Sequence, residues 1–74
     1  MLNYKIGESY KIIEKNYYHY SILYKIETKY LFFDPIDTYN NNGRFLGKYD
    51  GLIIQKKDIG TKYIIEKLYN DENV

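Results

Sequence analysis

The clearest pattern in the chain is a strict alternation from Tyr18 to Glu27. Tyr18, Tyr20, Ile22, Tyr24 and Ile26 fall on one face, and His19, Ser21, Lys25 and Glu27 on the other, with Leu23 the apolar exception. A period of two over ten residues predicts a half-buried antiparallel strand with its polar face, His19 included, at the surface. Thr28 and Lys29 can close a tight hairpin, and Tyr30–Phe33 returns as a shorter strand. Pro35 is expected to end it, since proline has no N–H to give a ladder. Upstream, Glu8–Lys15 reads as a strand introduced by Gly7, with Asn16-Tyr17 as its turn. Residues 36–51 read as one long irregular loop. Leu52–Lys57 is a fourth strand and Asp58-Ile59-Gly60 a turn. In Thr61–Tyr69 two spacings compete: Tyr63, Ile65 and Tyr69 suit a strand, while Ile59, Tyr63, Ile64 and Leu68 suit a helical face. The β-branched run and the short turn before it favour a strand. Residues 70–74 read as a frayed polar tail.

These elements predict a single small domain over residues 1–74, all-β or mainly β with at most one short helix. The arrangement expected is a five-stranded antiparallel SH3-like barrel or a strongly curved sheet. Residues 51–68, GLIIQKKDIGTKYIIEKL, resemble SH3-like barrels in their rhythm of strand, Asp-Ile turn and strand. The resemblance is one of fold, carries no family motif and implies no function.

Composition strengthens the β reading. Tyrosine (11), isoleucine (11), lysine (10) and asparagine (7) make up 39 of the 74 residues, there is no alanine, and Val74 is the only valine. Alanine is the best helix former, whereas isoleucine and tyrosine suit a pleated, half-buried surface. The four favoured residues also have AT-rich codons, which fits a phage or mobile element of an AT-rich host. A chain of this size buries only ~60% of its unfolded surface, leaving no room for a two-lobed enzyme. With no cysteine there is no disulfide framework and no thiolate metal site. No apolar run approaches the ~20 residues of a membrane span, and the N-terminus lacks an apolar signal region, so a soluble cytoplasmic protein is expected. The net charge is +1 and no block concentrates one sign, which removes the usual signature of phosphate-backbone binding.

Candidate chemistry is sparse. His19 is the only histidine; Ser21 shares its face, but no acidic residue is placed by the spacing to orient it, so no catalytic residue is assigned and no enzyme is expected. Asp34, Asp37, Asp50 and Asn40–Asn42 gather around the long loop. The spacing lacks the alternate carboxylates of an EF-hand, and such residues more simply bond nearby backbone, so neither metal nor cofactor is expected. The segment Gly43–Gly51 is the richest. Arg44, Phe45, Lys48 and Tyr49 lie between glycines, and arginine and large aromatics are enriched at binding hot spots. Tyr17, Tyr18 and Tyr20 gather at the start of the second strand, where tyrosine offers contact area at low entropy cost. These seven residues are the candidate partner-binding set. The leading expectation is a non-enzymatic binding protein whose partner is another protein, in the form of a phage- or mobile-element-encoded inhibitor of a host protein or defence complex. The alternative is a nucleic-acid-binding module that stacks bases on the sheet tyrosines, using Arg44, Lys48, Lys56 and Lys57 as cations. A third reading is a small-ligand pocket between protomers. Open sheet edges favour a homodimer and strand lysines oppose it, which leaves homodimer and monomer level.

Overall fold

In the computed structural model, which describes residues 3–68, six antiparallel strands form one curved sheet. They are β1 (Ser9–Ile13), β2 (Tyr17–Ile26), β3 (Tyr30–Asn40), β4 (Phe45–Tyr49), β5 (Leu52–Gln55) and β6 (Ile64–Lys67), with a single 3₁₀ turn at Lys56–Asp58. The sheet order is β4-β3-β2-β1-β6, and β5 lies beside β4 on the same edge of β3. Among the described residues no ladder joins β6 to β4 or β5, so the sheet curls without closing into a barrel. The frayed tail read at 70–74 lies outside the described residues.

Residues 36–51 are not an irregular loop, and Pro35 does not end the third strand. β3 continues to Asn40, and β4 and β5 pair back along it. Ile36 opposes Tyr49 and Phe33 opposes Leu52, so one register is kept across the interruption at Asp34-Pro35 and Asp50-Gly51. On its other edge β3 carries a bulge at the same place, since Ser21 opposes Ile36 while Leu23 opposes Phe33. Proline is tolerated where no ladder hydrogen bond is required, and a bulge supplies that position. The Asp34–Pro35 peptide is cis. Side chains take over where the ladder lapses: the Ser21 hydroxyl donates to the Pro35 carbonyl at 2.7 Å, and the Gly51 N–H donates to Asp34 Oδ1 at 2.8 Å.

The Asn-rich stretch makes a tight turn. Asn40 Oδ1 accepts the N–H groups of Asn42 and Arg44 at 2.9 and 3.0 Å, and Gly43 takes a positive φ of 85°. The last element is a strand. The Asp58 carbonyl gathers the N–H groups of Thr61, Lys62 and Tyr63, and the chain then enters β6 beside β1.

The inner face holds the core: Tyr10, Ile12, Leu23, Leu31, Phe33, Ile36, Ile54 and Ile65. Tyr10 is fully buried, and its phenol oxygen accepts the Lys5 N–H at 2.8 Å. The faces of β2 are the reverse of those expected. His19, Ser21 and Leu23 point inward, while Ile22, Tyr24 and Ile26 are exposed and Tyr18 and Tyr20 half-buried. The inner face beside β2 is already filled by Tyr10 and Ile12 of β1 and by Phe33 and Ile36 of β3, so the shorter residues of β2 pack between them, provided their polar atoms find partners, as those of His19 and Ser21 do. The long tyrosines fit the roomier convex side, where their hydroxyls reach water.

This inversion fixes opposite costs for adjacent residues. Leu23→Ala is expected to lose ~2–5 kcal/mol of stability, as a large core truncation. Ile22→Ser should stay near the ~0.5 kcal/mol of surface changes. Urea denaturation of the two variants checks the assignment, and equal losses would contradict it.

Candidate functional site

The predicted binding residues converge at one end of the sheet, where β2 begins, β3 ends and β4 forms the edge. Tyr17 opposes Asn40, Tyr18 opposes Tyr39, and Tyr39 opposes Phe45. The set is divided between two faces. Tyr18, Tyr20, Phe45 and Lys48 lie on the outer side, Tyr17 and Tyr49 on the inner, and Arg44 in the exposed turn between β3 and β4.

The division arises in β4. Thr38 opposes Gly47 but Tyr39 opposes Phe45, so one extra residue, Leu46, is inserted and the alternation reverses across it. Gly47 makes this possible. Its φ is 153°, and an added Cβ would lie 3.3 Å from the Tyr49 hydroxyl, whose ring leans across it.

On the outer side Tyr39 is the hub. It stacks parallel on Tyr18 (centroids 5.2 Å, planes 6° apart), receives Tyr20 edge-on at 5.5 Å, and meets Phe45 at 5.3 Å. Lys11 Nζ sits 4.7 Å above the Tyr18 ring. Phe45 remains 51% exposed at the free edge. The lysines here are balanced: Lys48 lies 3.4 Å from Asp37, and Glu66 stands opposite Lys11 in the ladder. The Arg44 guanidinium makes no ion pair among the described residues.

On the inner side Tyr17, Ile36, Leu46, Tyr49 and Leu52 surround an open hollow of about 380 Å³ with His19 and Thr38 at its floor. His19 is a buried residue, 7% exposed, and not the surface histidine expected. Its Nδ1 lies 2.8 Å from Thr38 Oγ1, and its Nε2 lies 2.5 Å from Glu14 Oε2. With Glu14 ionised, Nε2 carries the hydrogen and donates, leaving Nδ1 to accept from the Thr38 hydroxyl in the neutral ring. Nearby, burial and then the Glu14 and Asp58 carboxylates hold the Tyr63 phenol above its usual pKa. Among the described residues no three of His, Asp and Glu converge as metal ligands.

Sequence reasoning missed Tyr39, Leu46 and the Glu14–His19–Thr38 chain. Tyr39 gave no periodic signal, because Ile36, Asp37, Thr38 and Tyr39 read apolar, polar, polar, apolar, and only the strand registers bring its ring beside Tyr18 and Phe45. The chain gave none either, because Glu14 and Thr38 come from opposite sides of His19 in sequence. Comparison with protein-family models, curated proteins and solved structures finds no match.

Thr38→Val keeps the shape but removes the hydroxyl, so His19 Nδ1 loses its partner. The expected loss is ~1–3 kcal/mol, the cost of an unsatisfied buried group. Adding His19→Leu should recover part of it, since the orphaned buried ring is removed and the Glu14 carboxylate, the more exposed partner, is left to water. Chemical denaturation of the single and double variants measures this coupling.

Proposed function

We propose that this protein is a non-enzymatic binding domain whose partner is another protein, engaged at the aromatic end of the sheet. One observation carries the reading: four rings from three strands pack into a single outward cluster that terminates in a half-exposed Phe45 at a free sheet edge. Rigid aromatic anchors beside an open edge suit protein recognition, where a few such residues supply most of the binding energy. Beside the aromatic cluster the charge arrangement favours a protein over a nucleic acid. Lys48 faces Asp37, Lys25 lies 3.1 Å from Glu27 and Lys67 lies 3.0 Å from Glu8, so these cations already have carboxylate partners. Phosphate binding needs cations that exchange counterions for phosphates. Arg44 makes no ion pair among the described residues, and neither do Lys15, Lys29, Lys56 and Lys57, the last three of which line a separate hollow and are the cations on which the nucleic-acid reading would rest.

The Glu14–His19–Thr38 chain has a structural role in this reading. It satisfies polar groups that the inward turn of β2 buries. A blocking role, as an inhibitor of a host protein encoded by a mobile element, accords with a small rigid surface; its support is size and composition.

The test is capture of a partner from lysate of the native host by the wild-type chain and by Arg44→Ala/Phe45→Ala. A protein should be recovered by the wild type, with affinity reduced roughly thirty-fold in the variant, the equivalent of ~2 kcal/mol. Circular dichroism of the variant should be unchanged. Binding of single-stranded RNA or DNA at low ionic strength that weakens steeply with salt would replace this reading with the nucleic-acid one.

A further inference from the structure

The edge formed by β4 and β5 has no strand on its outer side among the described residues, and Leu46, Tyr49 and Leu52 of that edge line the hollow. We propose that this edge accepts an extended segment of the partner protein as an added antiparallel strand, with one large apolar side chain of that segment seated in the hollow. The inference rests on the protein-binding reading and specifies where and how a partner is held.

Three observations select this occupant. The first is the unpaired backbone of β4, an edge strand whose side chains are nearly all exposed, Phe45, Leu46 and Tyr49 included. Strand addition uses such an edge for affinity and adjacent pockets for alternate side chains. An antiparallel addition continues the pairing of the whole sheet and is the slightly stronger form.

The second is the hollow. At about 380 Å³ it is at the small end of ligand sites, and it is bordered by the edge strands. Leu46, Tyr49 and Leu52 come from the edge strands and Ile36 from β3 behind them, giving apolar walls above the His19–Thr38 floor. A side chain carried on a neighbouring strand enters such a space without the cost of fixing a free molecule.

The third is charge. Arg44 stands at the beginning of the edge and Asp50 at the end of β4; both are exposed, and neither makes an ion pair among the described residues. An antiparallel segment spanning Arg44 to Asp50 meets Asp50 first and Arg44 last. It therefore carries a cation toward its N-terminus, a carboxylate toward its C-terminus and apolar residues at alternate positions between them.

A second copy of β4 is a poor occupant. Pairing about Gly47 sets Phe45 against Tyr49, yet the inserted Leu46 places those two on opposite faces. Pairing about Lys48 opposes two ammonium groups, which is destabilising. The bulge and the edge lysine are devices that discourage self-pairing.

The probe is a phage-displayed library of random linear dodecapeptides selected on the full-length protein. The best binder is then resynthesised and its affinity measured by titration calorimetry. Enriched sequences should carry large apolar residues at i and i+2, with a basic residue N-terminal and an acidic residue C-terminal to them. Leu46→Lys should weaken the peptide at least tenfold. Arg44→Glu should weaken it at least fivefold, and a peptide with its acidic residue changed to lysine should recover most of that loss. This recovery cannot arise from misfolding. Selection of helical i, i+4 patterns, affinity indifferent to Leu46→Lys, or absence of charge-swap recovery would overturn the proposal, as would failure of any peptide to enrich. Should a native protein partner nevertheless be captured through the outer rings, this inference falls alone; should no protein bind either, the protein-binding reading falls with it.

Discussion

Strand β3 pairs along both edges, and the lapse at Asp34-Pro35 is the constraint on which the rest of the sheet depends. Without it, an eleven-residue central strand would hold one partner per edge in a flat ribbon. The lapse coincides on both sides, so β3 bulges against β2 and the returning strand divides into β4 and β5. Bulges increase local twist and bend the strand that carries them. The two halves of the sheet thus turn toward each other, and Ile54 of β5 and Ile65 of β6 join one core although their strands never pair. Ser21 and Asp34 supply hydrogen bonds to the Pro35 carbonyl and the Gly51 N–H where the lapse interrupts the ladder.

Curvature then sorts the side chains. The alternation of β2 was legible in the sequence, because Tyr18–Glu27 keeps a period of two across ten residues. Which face is buried was not legible, because hydrophobicity alone ranks tyrosine and isoleucine above histidine and serine. The sequence pattern contains no measure of the space inside a curved sheet. Leu23, the residue that spoils the alternation, is the one that discloses the answer: it is fully buried, and its neighbours His19 and Ser21 follow it inward. The β class, β1, β2 and the strand character of β6 were likewise readable from periodicity and turn residues. β4 was not, since Leu46 and Gly47 break its alternation, and an edge strand with exposed side chains has the composition of a loop.

The site was legible as a set of residues but not as a shape. Arginine and aromatics between glycines drew attention to 43–51, and the tyrosine run to 17–20. Neither feature indicates that Tyr39 joins them, which requires the β2–β3 and β3–β4 registers together. Separation of Tyr49 from Phe45 requires knowledge of the bulge. Pattern reading identifies the residue types that recognition uses; the backbone irregularities decide which of them act together.

Those irregularities also bear on what the edge can admit. A regular β4 with Phe45, Leu46 and Tyr49 exposed would be a template for indiscriminate pairing, the hazard attached to any open edge. The inserted residue removes the self-complementarity that a two-fold pairing needs, and Lys48, drawn toward Asp37 on the outer face, adds charge to the edge. Neither device blocks an incoming strand of different sequence, because backbone groups remain free and the hollow beside them remains open. Protection against copies of itself and access for another chain therefore come from the same local departure from regular pairing. The cost of that departure is borne by Gly47, which takes a backbone conformation that a side chain would strain.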